Sequence, residues 1–163
     1  MNLPAHLSVR HNLTAADLDA VTRLHVEVYV EGLGYNDNFH EHVDPQLRAW
    51  AAGRTDRDRI WLVERDDQLI GCVAVVREND TTARLRWFVV DPSERGQGVG
   101  GWLLAEAVQF ARTAGYTSMM LWTVNTLTSA AKLYLAAGFQ MTREMPGGWR
   151  PGMTEQRYDM PLG

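Results

Sequence analysis

The 163-residue sequence has one cysteine, no excess of positive charge and no long hydrophobic run. A lone thiol closes no internal disulfide and leaves no thiolate metal site, so the fold holds without either clamp. Cys72 lies in the apolar run 69–76 and reads as a buried structural thiol. With 16 Lys and Arg against 20 Asp and Glu, the formal net charge is -4, which argues against a sequence-independent grip on nucleic acid. Residues 1–10 lack a basic start followed by an apolar core, and no window approaches the apolar length of a membrane span. The expected location is therefore the cytoplasm, with neither membrane nor nucleic acid as a partner. Internal repeats, low-complexity tracts and interdomain linkers are also missing. What is there, at 45% hydrophobic content, supplies enough core for one domain over residues 1–163.

Leu18, Val21, Leu24 and Val28 follow a helical stripe, and Thr14 with Asp17 makes a capping box at its start. After a polar stretch, Asp44 and Pro45 suit the N-cap and first position of a second helix, with Leu47 and Trp50 inward and Gly53 at its end. Residues 60–64 and 69–76, rich in β-branched side chains and separated by the polar turn 65–68, predict an antiparallel hairpin. A turn at 78–80 continues the meander. In the next strand Ala83, Leu85, Trp87 and Val89 alternate with Arg84, Arg86, Phe88 and Val90, so a period of two puts each set on its own face. Val99, Leu103, Ala107, Phe110 and Ala114 mark a helix closed by Gly115, residues 119–124 a short apolar strand, and residues 130–137 a helix closed by Gly138. Residues 139–145 and 154–160, flanking a loop with three glycines and two prolines, predict a closing hairpin. The expected fold class is mixed α/β.

Residues 91–101, Asp-Pro-Ser-Glu-Arg-Gly-Gln-Gly-Val-Gly-Gly, join that strand to the helix. The first N–H groups of a helix have no internal partner and sit at the positive end of its dipole, so they suit a phosphate. Gly96, Gly98 and Gly101 spell G-x-G-x-x-G, but a dinucleotide-binding unit places those glycines directly after its first parallel strand, with an acidic residue about 20 positions on. Here residues 91–95 intervene, the strand closes an antiparallel meander, and Trp122, Thr123 and Val124 offer no carboxylate. That leaves a nicotinamide-linked oxidoreductase a distant alternative. The glycines are also compatible with a tight turn and no ligand. Four of them in six residues favour close approach of a ligand to backbone, since each costs about 0.8–1.0 kcal/mol relative to Ala inside a helix.

The strand 85–90 and the turn that follows closely resemble the acyl-CoA signature of the GNAT superfamily of N-acetyltransferases. The family pattern Arg/Gln-x-x-Gly-x-Gly/Ala falls on Arg95, Gly98 and Gly100, and its helix ending in Tyr and then Gly-Phe resembles residues 130–139. The likeness covers nearly the full chain. The strings Leu121-Trp122-Thr123-Val124 and Glu155-Gln156-Arg157-Tyr158 look like GNAT domains attached to MarR-type regulators, although no winged-helix partner is present here. The resemblance implies a mostly antiparallel central sheet flanked by helices, with a splayed strand pair forming the acyl-CoA slot. It implies acetyl-CoA as acyl donor, with Phe88, Val89 and Val90 offering backbone groups to the pantetheine arm. Arg95, Gly96, Gln97, Gly98, Val99, Gly100 and Gly101 would hold the pyrophosphate. A bulge that separates the two strands would leave unpaired N–H and C=O groups for the amide-bearing arm to bind.

The implied reaction is acetyl transfer to a primary amine of a small molecule or peptide by direct attack. Such a transfer needs a neutral nucleophile, a donor for the developing oxyanion and an acid for the departing thiolate. Tyr134 occupies the family's general-acid position, where a phenol with a reference pKa of about 10 stays protonated at neutral pH; its structural alternative is an aromatic packed on an amphipathic helix. A backbone N–H near Val90 is the natural oxyanion donor. Many peptide-modifying relatives carry a glutamate on the fifth strand where this chain has Trp122, and the family's Asn seven residues before the tyrosine is Leu127, with Asn125 as a substitute cofactor contact. The base is left open among Glu27, Glu31, a water relay, or no dedicated residue. The rival reading is a catalytically silent acyl-CoA sensor or interaction module.

Tyr29, Glu31, Tyr35, Asp37, Phe39, His40, Glu41 and His42 crowd the region that overhangs the acetyl group in the resembled fold. Aromatics and carboxylates suit a cationic amine, and Tyr29, Glu31 and Tyr35 are the candidate acceptor contacts; a solvated loop with a few packed rings explains the same run. His40 and His42 have no clear third ligand, so no metal is expected. Trp149, among glycines, suits either a lid over the acceptor or a cover for an apolar surface or a second copy in a homodimer.

Overall fold

In the computed structural model, which describes residues 2–163, Thr14 opens α1 (Ala15–His25) with the capping box its sequence predicts. The Thr14 hydroxyl accepts from the Asp17 amide at 3.3 Å and the Asp17 carboxylate accepts from the Thr14 amide at 2.8 Å. Asp17 also takes the Arg10 guanidinium, which donates to Glu64 at 2.7 Å. That network fastens α1 to β1 (Ser8–Arg10) and β2 (Arg59–Arg65), and β1 is an edge strand the sequence reading did not anticipate. It lies outside the apolar patterning because only its inner side touches the core. Past His25 the helix widens into a π-helical turn, Val26–Glu31, in which the Gly32 amide reaches the Glu27 carbonyl at 3.0 Å.

The second helix, α2 (Asn38–Gly53), begins well before the predicted Asp44. Asp44 does not cap it: its carboxylate instead accepts from the Thr22 hydroxyl at 2.9 Å and from Arg48 one turn on, binding α2 to α1. Pro45 therefore stands inside the helix, where it withholds an N–H from the preceding turn. The hairpin of β2 and β3 (Gln68–Arg77) turns through Asp66 and Asp67, both at positive φ, as a two-residue connection between right-twisted strands requires.

The remaining elements are β4 (Thr82–Val90), α3 (Val99–Thr113), β5 (Ser118–Val124), α4 (Thr128–Ala137), β6 (Gln140–Pro146) and β7 (Thr154–Pro161). The strands form one seven-stranded sheet in the order β1-β2-β3-β4-β5-β7-β6, antiparallel everywhere except between β4 and β5. That parallel seam is short, holding Thr82, Ala83 and Arg84 against Ser118, Met119 and Met120, and beyond it the two strands part. One face of the sheet packs on α3 and α4 through Leu103, Ala107, Met119, Leu121 and Phe139. The other packs on α1 and α2 through Val21, Leu24, Leu47, Leu62 and Cys72.

The period-two reading of β4 fails at one residue. Arg86 pairs with Ala74 and Val89 with Cys72, so Trp87 and Phe88 together oppose Val73, and Trp87 takes φ 48°. This bulge reverses the inside and outside of the strand. Ala83 and Leu85 face α3, whereas Trp87 and Val89, expected on the same side, lie in the core beneath α1 and α2. Among the described residues no helix is long and apolar enough to cross a membrane.

Candidate active site

The gap between β4 and β5 opens into a slot of about 490 Å³ lined by the bulge residues of β4, the end of β5, Tyr134 of α4, and aromatic residues from the π-helical turn and α2. Burial of Cys72 behind the bulge helps to define it: the thiol donates to the Trp87 carbonyl at 3.2 Å and is pushed well above its ordinary pKa by desolvation, so it is inert packing, not a nucleophile. On the slot side, the Tyr29 hydroxyl donates to the Phe88 carbonyl at 3.1 Å. The π-helical turn thus props the bulge. Burial raises the Tyr29 phenol, which keeps it a donor.

At the end of β4 the chain enters a turn built from its own carboxylates. Asp91 accepts from the Ser93 amide at 2.9 Å and hydroxyl at 2.8 Å. Glu94, only 2% exposed, accepts from His6 at 3.2 Å and Gln97 at 2.9 Å and also from Arg65. Those donors, His6 foremost, hold its carboxyl below the usual range. So braced, Arg95, Gly96, Gln97 and Gly98 stay exposed, with Gly96 at φ 81° and Gly98 at φ 83°. A Cβ at Gly96 would meet nothing within 4 Å, so open space lies over the turn. Gly98 caps α3, leaving the Val99, Gly100 and Gly101 amides in the first turn without helical partners. Gly100 has a packing duty as well, since a Cβ there would stand 3.3 Å from Leu133 and 3.7 Å from Phe88.

Tyr134 packs its ring among Phe88, Phe139 and Tyr158, with centroids 6.2, 6.0 and 5.7 Å away, and lines the slot. Desolvation raises its phenol pKa, so the group is protonated throughout the physiological range. Tyr35 stacks on Tyr29 at 5.3 Å, and Phe39 lies 5.3 Å from Tyr29. Trp149 sits edge-on to Phe39 at 5.1 Å and to His42 at 4.5 Å, while its carbonyl accepts from the Asn36 amide at 2.8 Å. The loop bearing Trp149 therefore roofs the aromatic wall.

The structure brings Phe88, Tyr29, Tyr35, Trp122, Leu127 and Tyr134 together in the slot. Glu27 and Glu31 line a different cleft, shared with Asp19, Arg23, Asp44 and Arg48 between the first two helices. Asn125 is exposed and bound to the start of β7, accepting from the Thr154 amide at 3.0 Å and donating its own amide to the Thr154 carbonyl at 3.0 Å.

Among the slot residues that escaped the sequence reading, three carry charge or a lone pair into it: His25, Arg84 and Arg86. The His25 Nδ1 donates to the Val21 carbonyl at 2.8 Å, which leaves Nε2 as a bare lone pair, buried and without a partner. Burial lowers its pKa to about 4, so the ring is neutral. A signal existed, because a histidine four residues after Val21 falls on the apolar stripe. The two arginines were legible as alternating residues, but not as cavity residues, because the splay that exposes them is a property of strand pairing.

A family model described as the acetyltransferase (GNAT) family matches residues 18–139. The chain is 30% identical over 163 residues to an uncharacterised N-acetyltransferase of Schizosaccharomyces pombe, spanning 98% of this chain and 99% of that protein. Its fold is shared with a related N-acetyltransferase from Kribbella flavida, at TM-score 0.77 and 23% identity, covering 98% of this chain and 99% of the other. A Salmonella typhimurium protein assigned as an acetyltransferase and solved with its cofactor acetyl-CoA aligns at TM-score 0.75 and 20% identity, covering 97% and 95% of the two chains.

Proposed function

This chain belongs to the GNAT family and is an acetyl-CoA-dependent N-acetyltransferase, from which we propose that it acetylates a primary amine of a small molecule or peptide by direct attack, with Tyr134 as the general acid. The observation that carries this reading is the parting of β4 and β5 beyond Arg84 and Met120, with Tyr134 lining the gap and the glycine turn following β4 directly, where a Cβ on Gly100 would stand 3.7 Å from Phe88. The residues present fit the donor. Open space over Gly96, partnerless amides at the head of α3 and an unpaired strand edge match a pyrophosphate followed by an amide-bearing arm.

Acetyl-CoA supplies an acetyl thioester, with an electrophilic carbonyl and a thiolate leaving group. Backbone groups of Phe88, Val89 and Val90 orient the pantetheine arm, and residues 95–101 anchor the diphosphate. An amide near Val90 donates to the carbonyl oxygen as charge builds there. Tyr134 would donate its phenolic proton to the departing sulfur and take back the proton that the amine nitrogen loses as the amide forms, so that the products are the amide and the free thiol. His25 is too weak a base to deprotonate an ammonium group and the Trp122 indole accepts no proton, so neither serves as the base, and the amine is taken to enter as its free base.

The test is release of free thiol from acetyl-CoA across an amine panel, with Tyr134→Phe beside the native chain. We expect acceptor-dependent release, and a fall in kcat of about 100-fold or more in the variant with little change in acetyl-CoA affinity. Full turnover by Tyr134→Phe would remove the acid role. Tight acetyl-CoA binding with no release from any amine would make the protein an acyl-CoA sensor instead.

A further inference from the structure

The cationic side of the slot is the feature acetyl transfer alone leaves unexplained. Arg84 and Arg86 stand two residues apart on β4, on the face that looks toward α2, and both line the cavity between the splayed strands. Neither forms an ion pair among the described residues, whereas Arg10, Arg48, Arg65, Arg77 and Arg157 all do. Arg86 donates to the neutral Gln46 side chain, and Arg84 Nε is buried with no partner. Glu155 is the only carboxylate lining the cavity among the described residues, so the slot carries more positive than negative charge. Desolvation and the neighbouring Arg84 bring Arg86 down to about 10, and desolvation lowers Arg84 as well, with the Glu78 carboxylate opposing both shifts only in part. Two half-buried guanidinium groups that disfavour their own charge are relieved by an anion.

We propose that the acceptor is an amine that also carries a carboxylate, and that Arg84 and Arg86 are the residues that hold the carboxylate. The inference rests on the acetyl transfer proposed above and names the substrate class of that same site. A guanidinium fork matches a carboxylate in two parallel hydrogen bonds, and Arg84 Nε is a free donor of that kind. Position along the strand sets the spacing. Through the bulge, Arg86 to Val89 spans the same length as Ala74 to Cys72 on the facing strand, roughly 7 Å, and Phe88 lies within that span. An amine placed at the bulge therefore lies one short molecule away from the first cation, which suits an amino acid whose amine and carboxylate are close together. Glu155 and the His25 lone pair also line the slot and can accept from the N–H groups of such a molecule.

The experiment measures acetyl-CoA-dependent thiol release with L-amino acids, their α-amides and the corresponding decarboxylated amines, and in parallel the binding of acetyl-CoA by calorimetry. We expect kcat/KM for at least one amino acid to exceed that of its amide and decarboxylated forms by about 100-fold. Arg84→Gln and Arg86→Gln should raise KM for that amino acid at least tenfold, more than they do for its amide. Arg86→Lys should recover part of the loss. Acetyl-CoA affinity and melting temperature in the variants report whether the fold and donor site are intact. If acetyl-CoA fails to bind, the parent reading falls. If acetyl-CoA binds and neutral amines are acetylated as well as their carboxylate counterparts, the parent reading stands and this one is wrong. Acetyl-CoA binding with neither turnover nor binding of any carboxylate amine overturns it too, as does an equal KM change for acids and amides in the arginine variants.

Discussion

The two faces of the sheet are built to different standards. Under α3 and α4 the core is a continuous apolar body running from Leu7 to Leu162. Under α1 and α2 it gives way to stacked aromatic rings, a π-helical turn and a cavity. Among the described residues four buried side-chain nitrogen or oxygen atoms lack a hydrogen-bond partner, and three of them, on His25, Tyr35 and Arg84, line that cavity. Leaving a polar atom buried and unpaired is destabilising, so their clustering at one place marks a surface shaped for something other than stability. Both faces stabilise the fold by apolar burial, and the second gives up part of that stabilisation around the cavity.

That contrast is sharpened most by truncating a residue on the apolar face. Leu103→Ala, at a side chain 0% exposed and away from the slot, should cost about 2–5 kcal/mol in urea denaturation, because the tight packing around it leaves a void that does not close. A loss well under 1 kcal/mol would mean the α3 face is as loose as the other.

Acid should attack the opposite face first. The His25 pKa lies near 4 in the folded chain against 6.5 in a free side chain, so the unfolded chain binds the extra proton in between. Its contribution to stability is complete above about pH 6.5 and disappears as pH falls through that window, on the order of 3 kcal/mol in all. Denaturation midpoints between pH 7 and pH 4 should fall for the native chain, and less for His25→Phe. Asp17, held at about 2 by Arg10, adds its own loss only below the ordinary carboxylate range. Identical slopes for both proteins would show that His25 titrates normally.

Smaller effects belong to the slot and its rim. Gly96→Ala should cost about 1 kcal/mol from its left-handed backbone alone, since the added methyl meets no neighbour within 4 Å. A much larger loss in thermal unfolding would mean that the turn closes over that space. Tyr35→Phe removes a hydroxyl that has no partner, and the melting temperature should stay the same or rise slightly. A drop comparable to that of Leu103→Ala would erase the distinction between the faces.

Much of the architecture was legible because local chemistry decides it. The Thr14 and Asp17 box, the Asp66 and Asp67 hairpin turn, and the glycines closing α3 and α4 each act within a few residues. Three features were not legible, and each is a tertiary effect. Asp44 and Pro45 have the composition of a helix start, yet the Thr22 hydroxyl takes the carboxylate that would have capped it. The alternation in β4 is perfect as text, but an extra residue opposite Val73 moves Trp87 and Val89 to the other core. The acidic residues near the first helix's end, Glu27 and Glu31, read as neighbours of the acetyl group and face another cleft, because they continue the outward side of the helix that Arg23 begins. The glycine turn and Tyr134 were named from a motif, while His25, Arg84 and Arg86 needed the cavity to become visible.

The parallel seam has a mechanical consequence. The strand ladder between the four-strand ribbon and the three-strand one is only three registers long, Thr82–Arg84 against Ser118–Met120, extended at one end by the Thr117 and Ser118 amides donating to the Thr81 carbonyl. The sheet is thus a pair of blades on a short pivot, and any strand-like guest lying along the open edges of both acts as a suture. Loading such a guest would stiffen the whole sheet from within and slow amide exchange along β4 and β5 far from the guest itself.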